Sequence, residues 1–404
     1  MSTKSNTKML YLSAFGILFV VLGHIAGRGA GMLTFDQFFG YYSFHMPLFL
    51  FISGYFYREK SEENPFLFLA KKAQKLLIPY FLCNLFFLLL QTFLRTFGFT
   101  IGERFSFYNL FFAPWLKLQP GTLAIPSWYL IALFISWVYY ILCRKLFSFL
   151  IRNTVIRDVV LTWFFLLVGI GSVVVSTHLP VNETGVVYLR SAVMLFFIQL
   201  GYVYKNYWEK HDKLPSAVYF SVVIAVRYCL VAVSLWKGWN LSYGLYSLVD
   251  FGSTGILFYL SGITGIALWL RISSLLATHP RKSRLLLRIG DQTKEIMFFH
   301  LTGFFILNSL IYIALRLWPY NGEHAAQIIN FDKDLFFSSV YYAPDVVGFP
   351  LLYLVFGVGF SLLIGMFVAW IKSVFLRRKK ATGEQAQGVP IGSDNELQGK
   401  ADPQ

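Results

Sequence analysis

Apolar residues recur along this chain in long blocks, each closed by charged residues or by Pro and Gly. Ten are predicted, near 9–26, 38–57, 76–97, 126–143, 158–177, 186–204, 216–236, 249–270, 295–317 and 348–371. A block of about 20 apolar residues crosses a ~30 Å hydrocarbon layer as one helix. The pattern therefore predicts an all-α fold, a polytopic integral membrane bundle of about ten helices. Composition strengthens this. A chain of 404 residues would ordinarily suggest several soluble domains. Here 56% of the residues are apolar and only 14% charged, and Phe alone occurs 43 times. Soluble domains carry roughly 45–50% apolar and about 25% charged residues, and no single water-soluble core could hide so much apolar surface.

Charge sets the orientation. With a cytoplasmic N-terminus, the inner segments hold 26 of the 35 Lys and Arg residues, the outer segments and the outer ends of spans hold eight (Arg190 among them), and Arg227 alone falls in the middle of a span. Basic loops stay on the cytoplasmic side, so both termini are expected there. The net charge of +15 is then topological, and nucleic acid, which needs basic residues gathered on one folded surface, is not an expected partner. The run after Lys8 is long for a signal-peptide core and further spans follow, so it is expected to remain as the first helix. A membrane domain is expected over 1–376. The basic, then Gly-, Gln- and Asp-containing stretch 377–404 is expected to be a disordered cytoplasmic tail. Cys83, Cys143 and Cys229 lie far apart without a C-x-x-C pair, which predicts packed thiols and no metal site.

The chain contains no G-x-S-x-G elbow, Walker A loop, complete G-x-G-x-x-G or H-E-x-x-H. Acidic residues are nearly absent from the expected spans. Asp250 and Glu295 come closest, at span ends, which argues against an ion pump. The polar residues left in the apolar blocks carry the chemistry. His24 near the outer end of the first span and His45 in the outer third of the second are expected at similar depth, facing one cavity. An imidazole there can take a proton from a hydroxyl; a neutral ring bonded to a backbone carbonyl explains each histidine singly. Arg227, in the middle of the seventh span, is costly in lipid, by about 3 to more than 10 kcal/mol. It should meet an anion, or pack against Asn84, Gln199 or a freed carbonyl. His300 reads as lying near the cytoplasmic end of the ninth span, suited either to donor entry or to an interfacial role. Two long outer loops, about 98–125 and 318–347, mix aromatic with polar residues, as functional loops and interfacial belts both do.

An apolar first span ending Val20, Val21, Leu22, Gly23, His24, then Phe44, His45, Met46, Pro47, Leu48, Phe49 running to Ser53, Gly54 and Tyr55, resembles the membrane acyltransferase-3 family, in particular its fucose-acetylase-like, polysaccharide O-acetyltransferase branch. Lys75 to Tyr80, Pro126 to Leu130, and Ile289 to His300 agree with it in order. The resemblance implies an enzyme that moves an acyl group, often acetyl, from a cytoplasmic coenzyme A thioester to a sugar hydroxyl of an envelope glycan, exopolysaccharide or lipid-linked precursor. Acyl-CoA would be a co-substrate and not a resident cofactor, the second partner a saccharide acceptor, and the location a cell membrane, of the bacterial cytoplasmic kind. By the same carry-over His24 is the catalytic histidine, His45 the motif position of the second span, and Trp128 and His300 candidates for substrate binding. A histidine there either deprotonates the sugar hydroxyl or accepts the acyl group itself.

One position departs from the family, which usually carries Arg or Lys eleven residues before the histidine, on the same helix face and about 16 Å deeper. Here it is Ser13. Arg227, Lys75 and Arg288 are the expected substitutes for binding the anionic donor. Two other functions compete: a saccharide transporter or exporter, for which broken helices and internal repeats would speak, and a catalytically silent relative serving as a membrane subunit.

Overall fold

A computed structural model describes residues 6–25, 36–118, 123–251, 255–317, 322–344, 346 and 348–387. The first helices are α1 (Thr7–Gly23), the short α2 (Asp36–Phe39), α3 (His45–Tyr55), α4 (Pro65–Leu94), the short α5 (Ala113–Leu116), α6 (Trp128–Leu150), α7 (Thr154–His178) and α8 (Glu183–Val193). They are followed by α9 (Leu195–Val203), α10 (Ser216–Lys237), α11 (Ile256–Thr278), α12 (Arg284–Asp291), α13 (Thr293–Leu317), α14 (Gly322–Ile328), α15 (Lys333–Ser338) and α16 (Phe349–Gln387). Two compact units are distinguished, Met1–Leu362 and Leu363–Gln404. In the second, the described residues are the C-terminal part of α16, which runs past Arg377 into the stretch expected to lack order. Residues 388–404 lie outside the described residues.

Among the described residues, eight helical segments are long and apolar enough to cross a bilayer, and α1, with 17 residues, is a shorter apolar helix. The chain is thus an all-α polytopic membrane bundle. The predicted second crossing is different. It breaks into α2, a 3-10 turn at Tyr41–Ser43 and α3, whose 11 residues rise only about 16 Å. Irregular backbone at membrane depth is tolerated where protein surrounds it or where it borders a cavity, and both conditions hold here. Other boundaries moved for local reasons. Asn64 caps Leu67 N–H and Pro65 opens the first turn, so α4 begins well before the apolar run and carries Lys71, Lys72 and Lys75 on the helix. Asn153 caps both Val155 and Ile156, which draws Asp158 inside α7.

The helices α1, α3, α9 and α11 form the centre; every residue of α9 is buried. A Cβ at Gly54 would run into the carbonyl of Ile198, and one at Gly201 into that of Phe51, so α3 and α9 touch backbone to backbone. Small residues permit such close crossings where lipid supplies no hydrophobic drive between helices. Around this centre, α4, α7 and α10 turn large apolar side chains outward. Phe86, Trp163, Leu167, Tyr228 and Leu235 are each more than half exposed, as the lipid face of a bundle requires.

Acidic groups are buried where the sequence did not advertise them. Arg144 on α6, 0% exposed, donates to Glu62 (2.5 Å), Asp158 (3.0 Å) and Gln199 (3.3 Å). Tyr207 and Tyr140 complete the network through Asp158 and Gln199, each at 2.7 Å, and Arg157 pairs with Glu59. These contacts tie the 59–62 turn to α6, α7 and α9. Asp250 and Glu295 are therefore not the most embedded acids among the described residues; Asp158 and Glu62 are, the first read as the start of a block and the second as part of the inner segment after 57. Replacing Arg144 by Met leaves two carboxylates buried beside an apolar chain, and removal of one partner of a buried pair costs about 3–5 kcal/mol. Thermal unfolding in detergent should show a large loss of stability for Arg144→Met and almost none for the exposed Lys210→Gln; equal midpoints would mean that the network does not hold these helices.

Candidate active site

Helix α1 ends at His24, its C-cap, whose backbone N–H still bonds back to Val21 and Leu22. The side chain is thereby released from the helix and meets α13. His24 Nδ1 lies 2.8 Å from His300 Nε2, and the rings are stacked at 5.0 Å with 7° between their planes. His300 is 0% exposed, and its Nδ1 lies 2.7 Å from the carbonyl oxygen of Ile296 one turn earlier.

A carbonyl only accepts, so His300 Nδ1 carries the hydrogen. In the neutral ring Nε2 is then a lone pair, and it accepts from His24 Nδ1–H. His24 is left with its lone pair on Nε2. With hydrogens so placed, His300 can orient the His24 ring and would accept its N–H more strongly were His24 protonated, as the carboxylate of a triad does for its histidine.

A cavity of about 620 Å³ opens beside His24, within the usual range for small-molecule sites. His45 borders it too, and its Nδ1 is held 2.7 Å from the carbonyl of Tyr41. The same partner logic puts the His45 lone pair on Nε2. Tyr42 bonds the Gly23 carbonyl (2.7 Å) and packs edge-on against His45 (5.1 Å), which joins the two histidine-bearing segments. The Tyr341 ring lies 5.4 Å from that of His24. Lys75, Lys294, Trp128 and the Tyr243–Ser247 loop line the cavity as well; no Asp or Glu is among its described lining residues. Burial pushes the Tyr246 phenol up to about 12 and raises that of Tyr341, so both keep their O–H at neutral pH.

Of the seven side chains singled out from sequence, His24, His45, Trp128 and Lys75 line this one cavity. His300 stands directly behind His24. It is not at the inner end of its helix but level with His24, because α12 docks beside the start of α1, with Gly290 against the Leu10 carbonyl. His300 then lies about 10 Å along α13 from Thr293.

Arg227 and Arg288 stand apart from the cavity. Arg227, 1% exposed, donates to Phe38 O (2.7 Å) and Ser43 Oγ (3.0 Å) and lies 5.0 Å from the Phe39 ring. It clamps the broken segment ahead of α3, so the expectation that it holds the donor gives way to a structural one. Arg288 is exposed on α12. Lys294 and Tyr246 escaped sequence reasoning, whereas Tyr341 belongs to the second long outer loop, read as functional or interfacial. Lys294 carried a usable signal, six residues and about 9 Å of helix rise before His300.

A family model described as an acyltransferase domain, that of the acyltransferase-3 family, matches residues 11–370. The chain belongs to that family and is a multi-pass membrane acyltransferase. No curated protein and no solved structure matches it.

With the base oriented by His300, His300→Ala should lower kcat for acyl transfer by about a hundredfold while leaving the donor KM and membrane abundance unchanged. A kcat within about twofold of wild type would mean that the stacked pair is packing alone.

Proposed function

We propose that the protein moves an acyl group, acetyl in the first instance, from cytoplasmic acyl-CoA to a sugar hydroxyl of an envelope glycan or its lipid-linked precursor, in a bacterial cytoplasmic membrane. The observation that carries this reading is His24, whose Nδ1 is taken up by His300 and whose Nε2 has no hydrogen-bond partner among the described residues, on a cavity that Lys75, Lys294 and an aromatic loop also line. Lys75 and Lys294 suit the phosphates of a donor entering from the basic, cytoplasmic side. They take the place of the cation missing at Ser13, whereas Arg227 is occupied elsewhere.

In the step itself, His24 Nε2 takes the proton of the sugar hydroxyl as its oxygen bonds to the thioester carbonyl carbon. The positive charge on the ring is shared through Nδ1–H with His300. The tetrahedral centre collapses, the C–S bond breaks, and the thiolate recovers the proton from His24 Nε2. Ester and free thiol leave, and His24 is neutral again. Tyr341 lines the cavity beside His24, and its phenolic O–H is assigned to the oxyanion, the kind of contact that lowers acyl-transfer barriers most. Acyl-CoA is consumed as a co-substrate.

The test is transfer of radiolabel from acetyl-CoA into glycan by reconstituted wild type and His24→Ala at matched abundance. Incorporation by wild type and a loss of at least about a hundredfold in the variant is the expected result. Movement of unmodified saccharide across the vesicle, without incorporation, would replace this reading by transport; neither incorporation nor movement would identify a catalytically silent relative.

A further inference from the structure

Arg190 was counted with the outer loops, yet it lies within α8, 1% exposed. Unlike Arg144, it has no ion pair among the described residues. Its guanidinium carbon is 4.7 Å from the Trp128 ring and 5.5 Å from the Tyr246 ring. Its Nη1 donates to the Tyr246 carbonyl at 2.8 Å. A cation buried without an anion is expensive, and two aromatic faces and one carbonyl offset only part of that cost. What the arrangement does achieve is to hold two rings in place from behind.

Both rings border the cavity, 5.6 Å apart and edge to face, whereas Arg190 does not reach it. Each also sits where the backbone alone is a poor anchor. Tyr246 belongs to an irregular loop in which Leu248 and Asp250 take left-handed φ values of 55° and 66°, a region that non-glycine residues seldom occupy. Trp128 is the first residue of α6, just after a 3-10 turn whose Ser127 is held by Asn84 at 3.1 Å. The guanidinium spans the two elements and makes one wall of them.

We propose that Trp128 and Tyr246 bind the sugar ring of the acceptor, and that Arg190 is the positioning residue that sets the wall for it. This rests on the acyl-transfer reading above. A pyranose presents a flat face of C–H groups to an aromatic surface and keeps its hydroxyls at the rim, where one can reach His24; sites that combine apolar walls with a few placed polar groups orient ligands in this way. The donor is excluded from this wall by position. The loop lies between the C-terminus of α10 and the N-terminus of α11, on the side the charge pattern assigns to the outside, away from Lys75 and Lys294.

The experiment measures acetyl transfer from acetyl-CoA to a panel of methyl pyranosides, together with the slow hydrolysis of acetyl-CoA without acceptor, for wild type, Trp128→Ala, Trp128→Phe and Arg190→Met. Trp128→Ala and Arg190→Met should each raise the acceptor KM about tenfold or more, with the donor KM unchanged and folded protein recovered from membranes at the wild-type level. Trp128→Phe, which keeps a ring, should stay within about threefold. Unchanged acceptor KM values, or a donor KM rising in step, would overturn the proposal; recovery as a single gel-filtration peak separates either result from misfolding. Hydrolysis by wild type with no transfer to any pyranoside would refute the glycan reading itself, and this assignment with it.

Discussion

A hydrocarbon interior offers no water to a buried donor or acceptor, so each polar side chain in this bundle depends on another part of the protein for its partner. That constraint arranges the structure. Arg144 gathers Glu62, Asp158 and Gln199 and so collects three helices and a turn. Arg227 takes up a carbonyl and a hydroxyl from the broken segment ahead of α3. His300 spends one nitrogen on its own helix and the other on His24. The sequence of partners ends at His24, a residue that lines the cavity and whose Nε2 has no hydrogen-bond partner among the described residues. Chemistry happens where the satisfaction of polar groups stops.

The broken second crossing and the pairing of histidines are two sides of one arrangement. An unbroken helix through 38–57 would carry His45 along a continuous ladder. The 3-10 turn instead turns the Tyr41 carbonyl, which also accepts the Phe44 N–H, toward the His45 ring, and places Tyr42 against the Gly23 carbonyl. Glycines make the rest possible. Gly54 and Gly201 let α3 press on α9, and Gly290 lets α12 sit against α1, which raises His300 to the level of His24. A methyl group at any of the three would meet a backbone carbonyl, which cannot move aside as a side chain can.

Much of this was legible in the sequence. Block length and charge asymmetry depend on the bilayer, a uniform solvent whose thickness and sidedness act on every segment alike, so helices and class could be read directly. His24, His45, Trp128 and Lys75 were legible as odd polar or motif residues in apolar surroundings. Partnerships were not. His24 and His300 are 276 residues apart, and nothing local says that they meet. Arg227 looked like a ligand-binding cation because sequence shows the cost of a buried charge but not who meets it. Arg190 and Asp158 were misplaced for a simpler reason: a hydropathy block ends where charges begin, whereas a helix capped by Asn153 or Asn182 begins before its apolar run.

The central claim is the direction of the hydrogen bonds from His24 through His300 to the Ile296 carbonyl. Solid-state NMR of the protein in lipid, with nitrogen-labelled histidine and assignment by single-histidine variants, reads it directly. The expected spectrum at neutral pH shows both rings neutral and protonated on Nδ1, the less common tautomer, with a coupling between His24 Nδ1 and His300 Nε2. A His24 ring protonated on Nε2, or the absence of any coupling between the two residues, would contradict it.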